Sequence, residues 1–429
     1  MIKQAFKKGQ LYVNYLGPSS SILGNLIATP ILISNLGIKE WSLFALISIF
    51  VPLVQIILFG SSEFVRRLMI NIFLSNEKTN KSIDMFYKYE KKNFFRFITA
   101  TIILSFVLII FNSNNFPLYE KIELSFILIS IAVFIKIFEF YYSELLNGLK
   151  QHYKLHLFSF IITLLKWISI IYLSFQNKVN INTLLVAVII FSCFMLIVQR
   201  IFILNVFKKK KNLLTNQNKG NISEFNEGNF GMIVLLILLL QQFDKILVFG
   251  ILDPLSLSYF GIAFMLSTAI PLIISPIIVY LTPEIYETVE INSKSHKKYF
   301  SYLIVTQFII LLIPLIIINL YIEPILTVWL GKTINSQEIS YFLVPLSIST
   351  ISISLLTSLK ILFIADNKIN LMKKPLIFIF SLFIFFTIMI YLKFLTIEIY
   401  LYCWSISMFF LIIYFYFNFF FKKIFKLKL

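Results

Sequence analysis

The chain has 429 residues, of which 59% are hydrophobic, 17% are aromatic and only 14% are charged. Soluble domains average about 45–50% apolar and roughly 25% charged residues, so this composition excludes a soluble protein and predicts a polytopic membrane protein. The net charge of +18 is compatible with nucleic-acid binding only if the basic residues form one surface. Cys193 and Cys403 lie singly in apolar runs, which predicts neither a disulfide framework nor a metal site.

Twelve apolar runs of about 15 to 25 residues follow one another along the chain. Runs of this length favour helices over the ten-residue alternating strands of a membrane barrel. We therefore predict an all-α polytopic membrane protein with about twelve transmembrane helices. The predicted spans are 11–33, 41–60, 97–111, 122–146, 155–175, 181–204, 230–250, 256–281, 299–322, 339–363, 375–393 and 397–420.

The basic residues concentrate in alternate connections between these spans. Of the 38 Lys and Arg residues, 29 fall on the side that holds both termini, five on the other side and four inside spans. The positive-inside rule then places both termini in the cytoplasm and requires an even number of crossings. Because the basic charge follows membrane topology, nucleic acid is excluded as a partner.

Two longer connections are predicted on the cytoplasmic side. Residues 61–96 contain a basic amphipathic stretch, which predicts a segment lying on the inner membrane surface. The polar residues 205–229 follow the sixth span and predict a flexible linker between two six-helix halves, 1–204 and 230–429. The longest outward loop is predicted at Glu323–Glu338.

Several charged residues lie inside the predicted spans, where each costs at least about 2.5–3.5 kcal/mol. Lining a wet cavity or pairing internally would compensate this cost, and both interpretations stay open for each acid–base pair. Snorkelling is a third option for Lys360, which lies near the cytoplasmic end of its span. The intramembrane charges are Lys136, Lys166, Lys245, Lys360, Glu139, Glu144 and Asp244.

Helical spacing groups these charges with other polar residues into stripes. Lys136 and Glu139 are three positions apart, and Gln241, Asp244 and Lys245 share another face. Stripes in both halves predict a central cavity between them. Arg66, at the end of the second span, serves either as a topology anchor or as a binding group. Further stripes are Asn14, Ser21, Asn25 and Thr29 in the first span, and Ser347, Thr350, Ser354 and Thr357 in the tenth.

Patterns of catalytic residues are scarce. The chain contains no Walker motif and no HExxH, and its histidines, His152, His156 and His296, have no nearby acidic partner pattern. We therefore expect no enzymatic activity, no cofactor and no metal site. A membrane polymerase or ligase would need a sizeable outward domain with paired Arg or His, which the predicted short outward loops do not provide.

Several segments together resemble the Wzx-type polysaccharide flippases, whose superfamily also holds multidrug exporters and lipid II flippases. The resemblance extends over essentially the whole chain. It departs from the family where Ser61, Ser62 and Glu63 replace the usual aspartate. The matching segments are LIATPILISNLG (26–37), FGSSEFVRR (59–67), LLNGLKQ (145–151), QQFDKILV (241–248), YFGIA (259–263) and TPE (282–284).

The resemblance implies a MATE-like fold of two six-helix halves around a central cavity, in the bacterial inner membrane. It implies translocation of an undecaprenyl-diphosphate-linked O-antigen repeat unit, coupled to H⁺ or Na⁺, with membrane lipid, an O-antigen polymerase and a chain-length regulator as partners. Glu139 and Asp244 are the expected ion-coupling residues. The alternatives are a multidrug exporter, a polymerase or ligase, and a scaffold subunit. The residues expected to bind the substrate are Lys136, Lys166, Lys245, Lys360, Arg66 and Asn25.

Overall fold

In the computed structural model, every long regular element of the described residues is a helix. The helices are α1 (Ile2–Leu36), α2 (Glu123–Gly148), α3 (His152–Ser174), α4 (Ile181–Lys211), α5 (Glu227–Ile251), α6 (Pro254–Glu290), α7 (Ser295–Leu330), α8 (Ser336–Ala365), α9 (Lys373–Tyr391) and α10 (Ile397–Tyr416), with a 3₁₀ turn at Ile369–Met372. The structure describes residues 2–38, 40–41, 47, 50–51, 69, 86–88, 90–96, 98–99, 101–102, 105, 123–149, 151–176, 180–211, 227–290, 295–331, 334–365 and 368–418.

These ten helices coincide with ten of the twelve predicted spans, which confirms the all-α prediction. By length and composition, eight helices in the described residues can cross a membrane, or nine if the bent α7 counts as one span. α5 contributes a shorter apolar segment, Met232–Gln242. The predicted spans 41–60 and 97–111 lie largely outside the described residues. The arrangement is that of a multi-pass membrane protein.

The predicted outward loop at Glu323–Glu338 is wrong over its first half, because α7 continues as a helix to Leu330. Its segments Ile304–Ile318 and Leu320–Leu330 meet at an angle of 69°. Pro324 explains why a bend is tolerated there. Its ring would clash with the carbonyl of Leu320, four positions earlier, and it has no N–H to bond that carbonyl. α7 then stops at Gly331, whose φ of +83° suits glycine.

In the first part of the chain, α1 packs along α3, and α4 packs against both α2 and α3. The α1–α3 contact is close because glycine faces the larger side chains. A Cβ atom at Gly24 would lie only 1.9 Å from Cδ1 of Trp167, and one at Gly17 would lie 2.9 Å from Nδ1 of His156. Near the other end of this contact, Asn35 Nδ2 donates to Ser174 Oγ at 3.3 Å.

The same pairing order recurs later in the chain. α5 packs against α9 as α1 does against α3, while α10 packs against both α8 and α9. The helices on the two sides of 205–229 thus share this part of their packing order. Buried polar groups join the later helices: Gln307 Nε2 donates to Ser354 Oγ at 2.8 Å, and Thr350 Oγ1 donates to the Ser267 carbonyl at 3.2 Å. These stripe residues of α8 therefore bond neighbouring helices.

Among the described residues, contacts between the two parts of the chain run mainly between α1 and α6. Thr29 Oγ1 donates to Met265 Sδ at 3.3 Å. Ser258 Oγ donates to the Ile38 carbonyl at 3.1 Å. Trp329 Nε1, on the bent arm of α7, donates to the carbonyl of Leu26 at 2.7 Å. All three bonds involve the second half of α1 or the residues just after it.

Candidate functional site

α2 carries an ion pair near the middle of its length. Lys136 Nζ and Glu139 Oε2 are 2.6 Å apart, and the two side chains are 28% and 18% exposed. Ile127 and Ile131, in contrast, are exposed residues of the same helix. At 100° per residue, Lys136 lies roughly 140–180° around the helix from these isoleucines. Because an exposed apolar stripe faces lipid, Lys136 faces the interior of the bundle.

Lys166 on α3 lies beside this pair. Its charged neighbours are Lys136 and Glu139, which interact with it electrostatically. Its Nζ also lies 4.5 Å from the centroid of the Trp167 ring, a cation–π distance. Lys166 is roughly 140° around α3 from the exposed Ile161, so it too faces inward. We call Lys136, Glu139 and Lys166 the lysine cluster.

The lysine cluster holds one more cation than it holds anions. No salt bridge to Lys166 is present in the part of the chain that the structure describes. Trp167, packed against Gly24, fixes the helix that carries Lys166. Asn25 follows Gly24 and is half-buried on the same helix, α1. The arrangement is a partly exposed, net-cationic site suited to a small anion.

Asp244 and Lys245 on α5 form a second ion pair, with quite different surroundings. Lys245 Nζ lies 2.8 Å from Asp244 Oδ1, and the side chains are only 3% and 1% exposed. The ammonium also donates to the Gln241 carbonyl at 2.6 Å and lies 5.1 Å from the centroid of the Phe264 ring on α6. We call Asp244 and Lys245 the buried pair.

One carboxylate oxygen of the buried pair accepts no hydrogen bond from the described residues. Asp244 Oδ2 has no hydrogen-bond partner among the described residues. Tyr400, at the start of α10, is fully buried and interacts electrostatically with the Asp244 carboxylate. The pair is therefore enclosed by α6 and α10. A buried carboxylate with an open acceptor can take a proton or a small cation.

The remaining predicted site residues lie elsewhere. Lys360 is 6% exposed on α8. Arg66 lies outside the described residues. Within those that are described, no hydrogen bond or ion pair of the lysine cluster reaches the buried pair. The structure thus brings Lys136, Glu139 and Lys166 together and places Asp244 with Lys245 in a separate, closed environment.

A third ion pair was missed by sequence reasoning, which counted Arg200 only as a topological charge. Arg200 Nε on α4 lies 3.2 Å from Glu90 Oε1, and Tyr142 donates its hydroxyl to the same carboxylate. Phe86 and Asn93 near Glu90 are buried. The segment around Glu90 thus packs one face against α2 and α4, a contact that the prediction of an amphipathic stretch in 61–96 did not include. A separation of 110 positions leaves no local signal for such a pair.

Comparison with known proteins identifies similar folds among solved structures but no matching sequence family. No protein-family model matches the sequence, and no curated protein matches it. Among solved structures, the eukaryotic MATE transporter AtDTX14 superposes with a TM-score of 0.64 at 12% identity, covering 96% of this chain and 95% of that chain. A mutant of the MATE transporter VcmN from Vibrio cholerae gives 0.59 at 13% identity, covering 96% of both chains.

A third similar structure is a MOP superfamily transporter from Pyrococcus furiosus, described as having a binding pocket of reversed polarity that suggests a different function. It gives a TM-score of 0.58 at 15% identity and covers 94% of this chain and 92% of that chain. These likenesses extend over nearly the full chain. The fold is MATE-like, the predicted class, and the neighbours that share it are membrane transporters.

Proposed function

We propose that this protein is a flippase for an anionic lipid-linked oligosaccharide, an undecaprenyl-diphosphate-linked O-antigen repeat unit. The observation that carries the proposal is the lysine cluster, where Lys166 adds a second cation to the ion pair of Lys136 and Glu139. A diphosphate needs cationic partners to enter a space of low dielectric constant. The MATE-like fold supplies a transporter framework for that site.

The two parts of the proposed cargo have different needs. The diphosphate would contact Lys136 and Lys166. The sugar hydroxyls would exchange hydrogen bonds with polar side chains such as Asn25. The prenyl tail would stay in lipid. Arg66 and Lys360 are retained in the proposal as further basic groups along the path. Lys245 is less suited to direct contact, because Asp244 and the Gln241 carbonyl already bond its ammonium.

Transport by alternating access requires the two halves to rock against each other. The bonds from Thr29 to Met265 and from Ser258 to Ile38 hold α1 to α6 in the present conformation. We propose that Glu139 and Asp244 couple this motion to H⁺ or Na⁺. Glu139 touches the proposed cargo site, whereas Asp244 offers its open oxygen inside the second half.

The orientation follows from the basic residues. With 29 of 38 Lys and Arg on one side, we propose that both termini lie in the cytoplasm of a bacterium and that the protein spans the inner membrane. An O-antigen polymerase and its chain-length regulator would then receive the cargo on the periplasmic side.

The proposal is tested by deleting the gene in the host and restoring it with wild-type, Lys166→Ala or Lys136→Ala variants. We expect surface polysaccharide to return with the wild type and to stay absent with either variant, at equal protein levels in the membrane. Lys154→Ala on α3 is the matched control and should restore the polysaccharide. Full restoration by both cluster variants would refute the cargo assignment.

A second candidate function is ion-coupled export of organic cations. One similar structure is a multidrug resistance MATE family transporter in an outward-facing conformation, with a TM-score of 0.55 at 13% identity, and Glu139 and Asp244 are acids inside spans. An exporter of cations would depend on these acids and tolerate loss of the lysines. Efflux of a cationic dye that survives Lys166→Ala and fails in Glu139→Gln would favour this candidate.

A further inference from the structure

A groove separate from the lysine cluster lies between the helical segment around Glu90, α2 and α4. Its cavity has a volume of about 520 Å³, within the range of small-molecule sites. Phe94, Phe134, Phe138 and Leu196 form its apolar walls. Its polar end is formed by Glu90, Lys91 and Arg200. We call it the aromatic groove.

The aromatic groove is on the face of α2 opposite Lys136, where the segment around Glu90 covers Phe138 and Tyr142. Phe134, Phe138 and Tyr142 are spaced by four, so they share one face of the helix. By helical periodicity this is the face of the exposed Ile127 and Ile131, and it is roughly 120–160° from Lys136. An occupant of the groove would therefore enter from the bilayer and would not lie in the proposed cargo site.

The charges at the polar end leave a net positive site. The Glu90 carboxylate is already bound by Arg200 and by the Tyr142 hydroxyl. The Arg200 side chain is still 49% exposed, and a guanidinium has five donors, so several remain for another acceptor. Lys91 is exposed and lines the groove, and Lys88, three positions earlier, is exposed as well. Arg200 and Lys91 are two cations, and Glu90 neutralises only one of them. A phosphate group suits the charge that remains.

The level of the groove along the membrane normal also suits a lipid of one leaflet. Its charged residues lie where α2 and α4 approach the end at which Lys154 and Lys208 are found, which is the basic end of the bundle. Tyr87, with its ring partly exposed, lies at the same level, as aromatic residues do at membrane interfaces. In the proposed orientation this end faces the cytoplasmic leaflet, which carries anionic lipid.

We propose that the aromatic groove binds one anionic glycerophospholipid of the cytoplasmic leaflet. Its phosphate would contact Arg200 and Lys91, and an acyl chain would lie along Phe94, Phe134, Phe138 and Leu196. This inference rests on the membrane orientation in the proposed function, but it does not depend on the nature of the cargo.

The test is native mass spectrometry of the full-length protein purified in mild detergent and mixed with equimolar phosphatidylglycerol and phosphatidylethanolamine. We expect one retained phosphatidylglycerol, favoured several-fold over phosphatidylethanolamine. Leu196→Trp fills the groove and should lower retention of both lipids several-fold. Lys91→Gln should abolish the preference for phosphatidylglycerol. The matched control, Lys208→Gln, removes an exposed charge on α4 that does not line the groove and should behave as wild type.

Equal retention of phosphatidylglycerol by the wild type and Leu196→Trp would overturn the proposal. So would an equal loss of preference in Lys91→Gln and Lys208→Gln, since general surface charge would then explain the binding. If Leu196→Trp does not fold, the exposed position of Lys91 still allows the charge test. If the cluster variants restored surface polysaccharide and so refuted the proposed cargo, these lipid measurements would not be affected. The two proposals can therefore fail separately.

Discussion

The lysine cluster and the buried pair both join a lysine to a carboxylate, but they differ in exposure. Lys136 and Glu139 are 28% and 18% exposed and have Lys166 as a third member. Asp244 and Lys245 are nearly fully buried and closed off by neighbouring helices, with Phe264 beside the ammonium. One site can exchange partners with a ligand, whereas the other exchanges them only if helices move.

This difference has an energetic consequence. Breaking a buried pair by removing one partner leaves an uncompensated charge and costs about 3–5 kcal/mol, whereas a partly exposed pair contributes about 1 kcal/mol or less. Loss of a residue in the buried pair should therefore act first on folding. Loss of a residue in the lysine cluster should act on binding.

The largest effect is expected for Asp244→Ala, which strands Lys245 in an apolar environment. We expect a loss of about 3–5 kcal/mol in the free energy of unfolding, measured by thermal or denaturant unfolding in detergent. The double variant Asp244→Leu with Lys245→Met removes both charges and should recover most of the stability. If the single variant is as stable as the wild type, the pair is not enclosed as described.

Lys166→Ala should give the next largest effect, on transport instead of stability. We expect cargo transport to fall about a hundredfold, equivalent to about 2.7 kcal/mol. Unfolding should shift by about 1 kcal/mol or less, because Lys166 has no salt bridge to lose within the described residues. Transport in vesicles and unfolding are measured on the same preparations. A variant that loses both together would place Lys166 with the buried pair.

Gly24→Ala probes the packing that positions Lys166. The added Cβ would meet Trp167 at 1.9 Å, so α1 and α3 must separate or the indole must move. Overpacking of this kind costs about 1–3 kcal/mol and should also reduce transport. Ser34→Ala, at an exposed position of the same helix, is the control and should change stability by less than about 0.5 kcal/mol.

The smallest effect is expected at Asp253, an exposed carboxylate between α5 and α6. Partial desolvation of the carboxylate tends to raise its pKa, but hydrogen bonds from Ser256 and the Leu255 amide outweigh this and hold the pKa below its usual 3.8. Asp253→Ala removes this N-cap and should cost about 1 kcal/mol. The cap should stabilise the wild type fully above pH 3.8 and lose its effect as the pH falls below that value.

Unfolding of both proteins as a function of pH tests this assignment. The difference between wild type and Asp253→Ala should be constant near neutral pH and shrink in acid. A difference that grows in acid would contradict the lowered pKa.

Local spacing predicted the parts of the site that one helix can form. Lys136 and Glu139 are three positions apart on one helix, so their pairing could be foreseen. Adjacent positions on a helix point in different directions, so the direct contact of Asp244 with Lys245 could not be foreseen in the same way. Their separation into an open and a closed site could not, because exposure depends on helices distant in sequence. The contact of Gly24 with Trp167 and the ion pair of Glu90 with Arg200 have the same origin.

Hydropathy predicted the helices well and their ends less well. The run that forms α7 appeared to stop at Glu323, yet the helix continues to Leu330 with Leu320, Tyr321 and Val328 exposed. A helix lying at an interface keeps polar residues that a search for spans treats as a loop. The MATE-like arrangement itself followed from the resemblance and is now supported by the fold.

The central claim is that Lys166 binds anionic cargo while the buried pair does not touch it. The most direct test is the Kd of purified full-length protein for a polyprenyl-diphosphate-linked oligosaccharide. We predict that Lys166→Gln raises the Kd at least about tenfold, a loss of about 1.4 kcal/mol. Lys154→Gln and the double variant Asp244→Leu with Lys245→Met should stay within about twofold of wild type. Wild-type affinity in Lys166→Gln, with affinity lost in the double variant, would contradict the claim.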